Sequence, residues 1–168
     1  MERLVSKRLS ELTHLDESGA ARMVNVGSKA QTDRSATAYG RIRMSKEAIA
    51  AIHAGDAPKG DVLGTARIAA IMAAKRTAEL IPLCHPLGLD AVEIEFDYGD
   101  GSIAVKATAS LTGKTGVEME VMVAVTTALL TIYDMAKALD KGMVIEEVRL
   151  LEKKGGKSDH WRAEEPSA

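Results

Sequence analysis

The chain has few aromatic residues and a single cysteine. Its 168 residues include one Trp, one Phe and three Tyr, so the aromatic side chains on which single-stranded nucleic acids stack are scarce. The lone Cys84 excludes an internal disulfide. Lys and Arg total 22 against 24 Asp and Glu, so the overall charge does not favour nucleic acid or a membrane surface. We therefore predict no nucleic-acid partner and no membrane partner.

Long apolar runs are also lacking. No stretch approaches the roughly 20 apolar residues that span a bilayer, and the amino terminus lacks the apolar segment of a secretory signal. These features predict a cytoplasmic protein. The length suits one domain. We place a flexible arm at residues 1–21, a single domain at 22–158 and a flexible tail at 159–168.

Strand patterns are present in four places. Apolar residues alternate with polar ones most clearly between Ala91 and Tyr98, and again from Ile103 to Leu111. Gly99-Asp100-Gly101 supplies turn residues between them, which predicts an antiparallel hairpin. Weaker patterns predict strands from Ala36 to Met44 and from Val144 to Leu151.

Capping residues predict two helices in the first half of the chain. Ser45 is a typical N-cap, and Gly55 can end the short helix that follows. A second helix should begin at Asp61 or Thr65 and run toward Ile81, where prolines follow.

A third helix is predicted by apolar residues at every third or fourth position from Gly116 to Leu139. The element order is then β-α-α-β-β-α-β. This order predicts an α+β sandwich of the ferredoxin-like type, with a split βαβ arrangement, an antiparallel sheet and one extra short helix.

Ionisable residues, together with glycine and proline, are concentrated in short blocks at predicted helix ends, namely residues 59–61, 82–86, 112–120 and 134–137. Gly113-Lys114-Thr115 and Gly156-Lys157-Ser158 each resemble the end of a P-loop, but Thr108 and Leu151 replace the glycine required five positions earlier. A nucleoside triphosphatase is therefore disfavoured. The glycines can still present backbone N–H groups to an anion at the helix start, or serve only the geometry of the turn.

Cys84 and His85 lie between two prolines. Zinc is disfavoured because the other histidines are scattered, so the usual ligand spacing is missing. His85 is either a loop residue with an ordinary hydrogen bond or an imidazole presented for proton transfer. Nothing nearby in the sequence lowers the pKa of Cys84, which favours a buried thiol over a nucleophile.

Asp134 and Lys137 are three residues apart and share a helix face. They form either an ordinary surface ion pair or a catalytic pair perturbed by burial. Glu120 lies near the other end of this helix, about 21 Å away at roughly 1.5 Å per residue. One small substrate cannot reach both ends in one subunit. We favour a site completed by a neighbouring chain over a site at one end only.

Six blocks, taken together and in order, resemble the molybdenum cofactor biosynthesis protein C family, the cyclic pyranopterin monophosphate synthases. They are residues 59–62, 65–69, 74–77, 80–86, 111–120 and 128–137, within a match over about residues 13–158.

The resemblance implies both a reaction and an assembly. The substrate would be the cyclised guanosine triphosphate made by a preceding radical enzyme, and the products would be cyclic pyranopterin monophosphate and pyrophosphate, with no redox step. The subunit would be ferredoxin-like and would form a hexamer, a trimer of dimers with sites at the dimer interfaces. We expect no resident cofactor and no metal site, although magnesium could accompany the triphosphate.

The resemblance also assigns residues. Asp134 corresponds to the principal catalytic residue, with Lys137 and Lys59 as acid–base partners. We expect Asp134 to move protons, and we expect burial and mutual repulsion to lower the lysine pKa values. The substrate-contacting segments match Leu83, Cys84, His85, Met119 and Glu120. Triphosphate charge would be offset by Lys75, Lys114 or Lys157.

Two other functions remain open. A noncatalytic adaptor could hold the pterin precursor for a partner enzyme, and Asp134 and Lys137 would then be dispensable. A structural oligomerisation domain would leave the lysine and histidine blocks unexplained.

Overall fold

The structure is a computed structural model that describes Leu15, residues 18–156 and residues 159–164. Its strands are β1 (Thr32–Arg43), β2 (Ala91–Gly99), β3 (Ser102–Gly113), β4 (Val144–Lys154) and β5 (His160–Arg162). Its helices are α1 (Lys46–Ala54), α2 (Val62–Lys75), α3 (Thr77–Leu80) and α4 (Glu118–Ala136). The strands form one antiparallel sheet in the order β2-β3-β1-β4-β5. This topology confirms the predicted α+β fold of ferredoxin-like type.

The sheet is apolar on the face that the helices cover. Alternate residues of β3 point into the core, from Ile103 at one end to Leu111 at the other. The predicted hairpin is confirmed by the pairing of Gly99 with Ser102. The β1–β3 register pairs Thr32 with Gly113. The start of β1 therefore lies beside the turn that leads into α4.

The long helix α4 packs across the sheet and against α2. Its fully buried side chains include Val121, Val125, Leu129 and Ile132. α2 contributes the small residues Ala66, Ala70 and Ala74 to the same core, and small side chains let two helices approach closely. α4 thus connects two distant regions of the molecule, one at each of its ends.

α4 also has the length and hydropathy of a membrane-spanning segment, with a mean hydropathy of 1.4 in its most apolar window. However, 56% of that window is buried inside the protein. A core helix meets the same criteria, and the packing of α4 on the sheet assigns it to the core.

The predicted helix starts are confirmed by their caps. Ser45 Oγ accepts a hydrogen bond from Ala48 N at 3.2 Å, and Gly55 ends α1 with φ 79°. Asp61 caps α2, so the helix starts there and not at Thr65.

The prediction that this helix continues to Ile81 is wrong, because α2 ends at Lys75 and the short α3 follows. Thr77 is buried, and its hydroxyl donates to the Ala74 carbonyl at 3.0 Å. Between the two helices, Arg76 has φ −114° and ψ 16°, so the backbone leaves the helical conformation at that residue.

The chain termini differ in part from the predicted arm and tail. Most of residues 1–21 lies outside the described residues, but Leu15 forms an antiparallel bridge with Ala21. The described part of the predicted tail contains β5, where Trp161 pairs with Lys153 of β4. Residues 160–162 therefore extend the sheet. The prediction of a loose tail from residue 159 is corrected for this segment.

Candidate active site

Lys59 and Lys137 both bind the carboxylate of Asp134. Lys59 Nζ lies 2.7 Å from Asp134 Oδ2, and Lys137 Nζ lies 2.8 Å from Asp134 Oδ1. Asp134 and Lys137 come from the end of α4, whereas Lys59 comes from the loop before α2. Lys59 and Asp134, 75 positions apart, therefore meet within one chain, and no second chain is needed to bring them together.

The ionisation of this cluster differs from the expectation. The Asp134 side chain is 54% exposed, so burial does not govern it. Hydrogen bonds from Lys137 and then Lys59 lower the pKa of Asp134 to about 2. Asp134 in turn raises the pKa of Lys137. The expectation that burial and like charge lower the lysine pKa values is wrong for Lys137, because the nearest charge is a carboxylate on an exposed surface.

A cavity of about 820 Å³ lies near the other end of α4. It is lined by residues from the predicted substrate segments, namely Leu83, Cys84, His85, Met119 and Glu120. The structure therefore brings all five together. The volume falls within the range of small-molecule sites, about 300–1,000 Å³.

Glu120 is the buried acid of this cavity, with 3% of its surface exposed. Burial raises the pKa of Glu120, its own backbone N–H partly offsets the rise, and Glu118 adds to it. Burial also raises the pKa of the Cys84 thiol, with a further contribution from Glu120. Cys84 is therefore protonated at neutral pH, which disfavours a nucleophile as predicted, but the thiol is half-buried and not buried.

His85 is held by the segment before β1. Its Nε2 lies 2.9 Å from the Val24 carbonyl oxygen. A carbonyl can only accept, so Nε2 carries the hydrogen and donates it. In the neutral ring, Nδ1 is then left as an acceptor. The sequence favours neither the loop interpretation nor the functional one, and the structure shows that His85 has both a local partner and a place in the cavity wall.

The predicted phosphate-binding lysines are separated in the structure. Lys75 lines a smaller adjoining cavity of about 300 Å³, which shares His85 and Glu120 with the first. Lys114 Nζ donates to the Gly27 carbonyl at 2.6 Å, and it is not among the residues lining either cavity. Lys157 lies outside the described residues.

Two cationic residues of the larger cavity are not predicted from the sequence. Lys29 and Arg34 line it together with Gly156. Arg34 Nε donates to the Gly113 carbonyl at 3.0 Å, which fixes the guanidinium at the cavity wall. Strand register places Arg34 there, because the start of β1 pairs with the end of β3 beside the glycine-rich turn, and Lys29 lies just before β1. Their own spacing carries no signal.

The acid–base cluster of Lys59, Asp134 and Lys137 and the larger cavity lie at opposite ends of α4. Glu120 and Asp134 are about 21 Å apart along the helix axis, at roughly 1.5 Å per residue. The structure therefore keeps the acid–base cluster and the cavity apart within one subunit. In the described part of the chain, no group of three or more His, Cys, Asp or Glu residues is arranged to hold a metal ion.

The chain is similar in sequence to known proteins. The chain matches the model of the MoaC family over residues 23–156. It is 64% identical over 157 residues to a protein of Novosphingobium aromaticivorans named cyclic pyranopterin monophosphate synthase, covering 94% of this chain and 100% of that protein.

Proteins of the same name from Brucella melitensis biotype 2 and Brucella ovis are each 56% identical, over 160 and 159 residues. These alignments cover 94% of this chain in both cases, and 97% and 96% of the two relatives. Lys59, Asp134, Lys137 and all residues that line the larger cavity lie within the matched region, and the chain belongs to the MoaC family.

Proposed function

We propose that this chain is a cyclic pyranopterin monophosphate synthase acting in molybdenum cofactor biosynthesis. It converts the cyclised guanosine triphosphate intermediate to cyclic pyranopterin monophosphate and releases pyrophosphate. Relatives at 56–64% identity over nearly the whole chain carry this name. The observation that carries the proposal is the Asp134 carboxylate bound by Lys59 and Lys137. Proton transfers of a ring rearrangement need both an acceptor and donors.

The chemistry follows from the charges of the cluster. Asp134 is ionised at neutral pH because its pKa is about 2, so it can accept a proton. Lys137 stays protonated, but the raised pKa makes it a weaker acid while it is paired with Asp134. A substrate group that displaces a lysine from Asp134 would raise the pKa of the carboxyl toward the working pH and strengthen it as a base.

The larger cavity suits an anionic substrate with a polar ring. Lys29 and Arg34 in its wall can neutralise phosphate charge, and a guanidinium can bind phosphate through two parallel hydrogen bonds. Glu120 and the Nδ1 atom of His85 can accept hydrogen bonds from ring N–H groups. We keep Lys75, Lys114 and Lys157 as predicted phosphate contacts. Lys75 is the best supported of them, because it lines the adjoining cavity.

Each complete site is formed by two subunits of a homo-oligomer, which we propose to be a hexamer built as a trimer of dimers. The separation of cluster and cavity along α4 supports this arrangement. Apolar side chains are also exposed on the paired helices, with Ile68 and Met72 on α2 and Leu130 on α4. An exposed apolar surface is typical of a contact between subunits.

Three further predictions belong to the proposal. The enzyme needs no resident cofactor, magnesium can accompany the triphosphate, and the protein is cytoplasmic. The adaptor hypothesis is less favoured, because an adaptor requires only the cavity and has no use for a carboxylate held between two ammonium groups.

The test is turnover of the cyclised triphosphate by the full-length protein, with the pterin product and pyrophosphate measured by chromatography. Asp134→Asn keeps the shape of the side chain and removes the base. We expect its kcat to fall by about 10²–10⁴-fold, while calorimetry still detects substrate binding.

Asp100→Asn is the matched control. Asp100 is also an exposed carboxylate paired with a lysine, Lys46, at 2.9 Å, and it lies outside the cluster and both cavities. This variant should turn over normally. A wild-type rate for Asp134→Asn would refute the catalytic assignment, and a wild-type protein that binds substrate without converting it would establish the adaptor.

A further inference from the structure

Lys59 is presented by a tight turn between α1 and α2. Gly60 N donates to the Ala57 carbonyl at 2.9 Å, which closes a four-residue turn. Pro58 occupies the second position, where its fixed φ is favourable, and Gly60 occupies the fourth with φ 85°. Lys59 is the third residue. Its backbone direction is therefore set by the turn and not by a helix.

The turn is anchored on the side of α1. Gly55 ends α1 in the left-handed conformation, and Asp56 N donates to the Ala51 carbonyl at 2.9 Å. Ala57 is buried. These contacts fix where the turn begins.

Asp61 anchors the turn on the side of α2. Asp61 Oδ1 accepts a hydrogen bond from Gly64 N at 2.8 Å, and the Asp61 carbonyl accepts from the Thr65 hydroxyl at 2.7 Å. Asp61 is only two residues from Lys59. The carboxylate that caps α2 therefore also limits the position of the lysine backbone.

Gly64 provides the space for this carboxylate. A Cβ atom at Gly64 would clash with the Asp61 carboxylate. Glycine is less favourable than alanine within a helix, and Gly64 does not have a positive φ. Glycine at position 64 therefore leaves room for the Asp61 carboxylate that caps α2.

We propose that Asp61, with Gly64 beside it, is a positioning residue that orients Lys59 toward Asp134. A lysine side chain is flexible, and an exposed ion pair gains little free energy to hold it. Lys59 and Asp134 are both substantially exposed. The pair therefore depends on a backbone that is already in place, and loss of the Asp61 cap loosens it. The inference rests on the proposed function only where it predicts turnover.

The test measures the pKa of Asp134 directly, by carboxyl ¹³C NMR titration of the full-length protein, together with kcat and KM. In Asp61→Ala we expect the Asp134 pKa to rise from about 2, in the same direction as in Lys59→Met. We expect kcat to fall by about tenfold or more with a smaller change in KM. Removing the negative charge of Asp61 by itself would lower the Asp134 pKa, so a rise identifies loss of the lysine contact.

Two variants separate capping from charge. Asp61→Asn loses the charge but keeps a side-chain oxygen that caps well, so it should restore a low Asp134 pKa and most of the kcat. Gly64→Ala keeps the charge but forces the Asp61 carboxylate to shift, so its Asp134 pKa should lie between those of wild type and Asp61→Ala. This second route tests the proposal even if Asp61→Ala does not fold.

Ser45→Ala is the control for general loss of a helix cap. It removes the Ser45 cap of α1 and should leave the Asp134 pKa unchanged. An unchanged Asp134 pKa in Asp61→Ala and Gly64→Ala, or an equal rise in Ser45→Ala, would overturn the proposal. If the pKa responds as expected while Asp134→Asn retains full turnover, the positioning role holds and the proposed function fails.

Discussion

Asp134 and Glu120 are carboxylates of one helix whose pKa values move in opposite directions. Two ammonium groups lower the pKa of Asp134, whereas burial raises that of Glu120. Carboxylates whose environments separate their pKa values commonly have different tasks in one reaction. Asp134 is a weak base while both lysines are bound, and it becomes suited to accept a proton when substrate displaces one of them. Glu120 is suited to bind ring N–H groups from a buried position in the cavity wall.

The pKa of Glu120 is raised above its ordinary value of 4.5, which predicts that the ionised carboxylate destabilises the folded protein at higher pH. The folded state binds this proton more tightly than the unfolded chain, so stability falls as pH rises from the ordinary pKa through the raised one. Glu120→Gln removes the buried charge. We expect its Tm at pH 7 to rise by ~2–4 °C, the shift that about 1 kcal/mol produces in a domain of this size, and the gain to shrink toward pH 4.

Differential scanning calorimetry of the ligand-free protein at both pH values measures this difference. Glu93→Gln is the control, because Glu93 is exposed on β2 and should show no such gain. A Glu120→Gln variant less stable than wild type at pH 7 would contradict the prediction. Glu120→Gln should also bind substrate more weakly, because it replaces a carboxylate that accepts hydrogen bonds with a neutral amide.

At the scale of elements, the position of α4 depends on a glycine in the strand beneath it. A Cβ atom at Gly40 of β1 would lie 2.6 Å from Val125 Cγ1, 2.7 Å from Leu129 Cδ1 and 2.9 Å from the Glu147 carbonyl oxygen. The two side chains are fully buried, and the third atom belongs to the backbone. None of the three can move freely.

We therefore expect Gly40→Ala to lower the free energy of unfolding by about 1–3 kcal/mol, as overpacked cores do. In urea denaturation this loss should appear as a lower midpoint concentration, with an unchanged dependence of the unfolding free energy on urea concentration. Gly88→Ala is the matched control, because a Cβ at Gly88 meets no atom within 4 Å. Equal midpoints for the two variants would show that α4 does not pack as closely on β1 as the structure indicates.

The elements that could be predicted from the sequence are those with local signals. Ser45 and Gly55 define α1 through capping contacts a few residues long, and the alternation in β2 and β3 needs only a shared apolar face. The end of α2 at Lys75 could not be predicted in this way. Arg76 leaves the helical conformation there, and no glycine or proline beside it marks the break in the sequence.

The candidate site shows the same limit. The individual residues Asp134 and Lys59 could be selected from their motifs, but their contact in one chain depends on how the loop before α2 meets the end of α4. Arg34 joins the cavity through strand register. Contacts between distant segments, and the exposure that determines a pKa, require the assembled fold.

For the whole molecule, the distance along α4 decides how many chains a site needs. The cluster and the cavity cannot both contact one small substrate within a subunit, because they are separated by about 21 Å along the helix. In a two-fold dimer, residue i of one subunit can meet residue j of the other, and the reverse contact then forms a second equal site. Two sites per dimer would each take one cluster and one cavity.

This arrangement predicts that two inactive variants restore activity when they share an oligomer. Asp134→Asn has an intact cavity, and His85→Ala has an intact cluster, so a mixed dimer contains one complete site and one doubly defective site. Random pairing makes half of the dimers mixed, which gives about one quarter of wild-type activity. Co-expression of the two variants in equal amounts, purification through a tag carried by both chains and the turnover assay provide the measurement.

The control mixes Asp134→Asn with Lys137→Met. Both lesions then lie in the cluster, so no pairing of these chains contains a complete site, and activity should stay at the level of either variant alone. Recovery only in the first mixture shows that one subunit supplies the cluster and the other the cavity. If the first mixture is no more active than the control, the cluster and the cavity of different subunits do not form a common site, and the two-subunit arrangement is refuted.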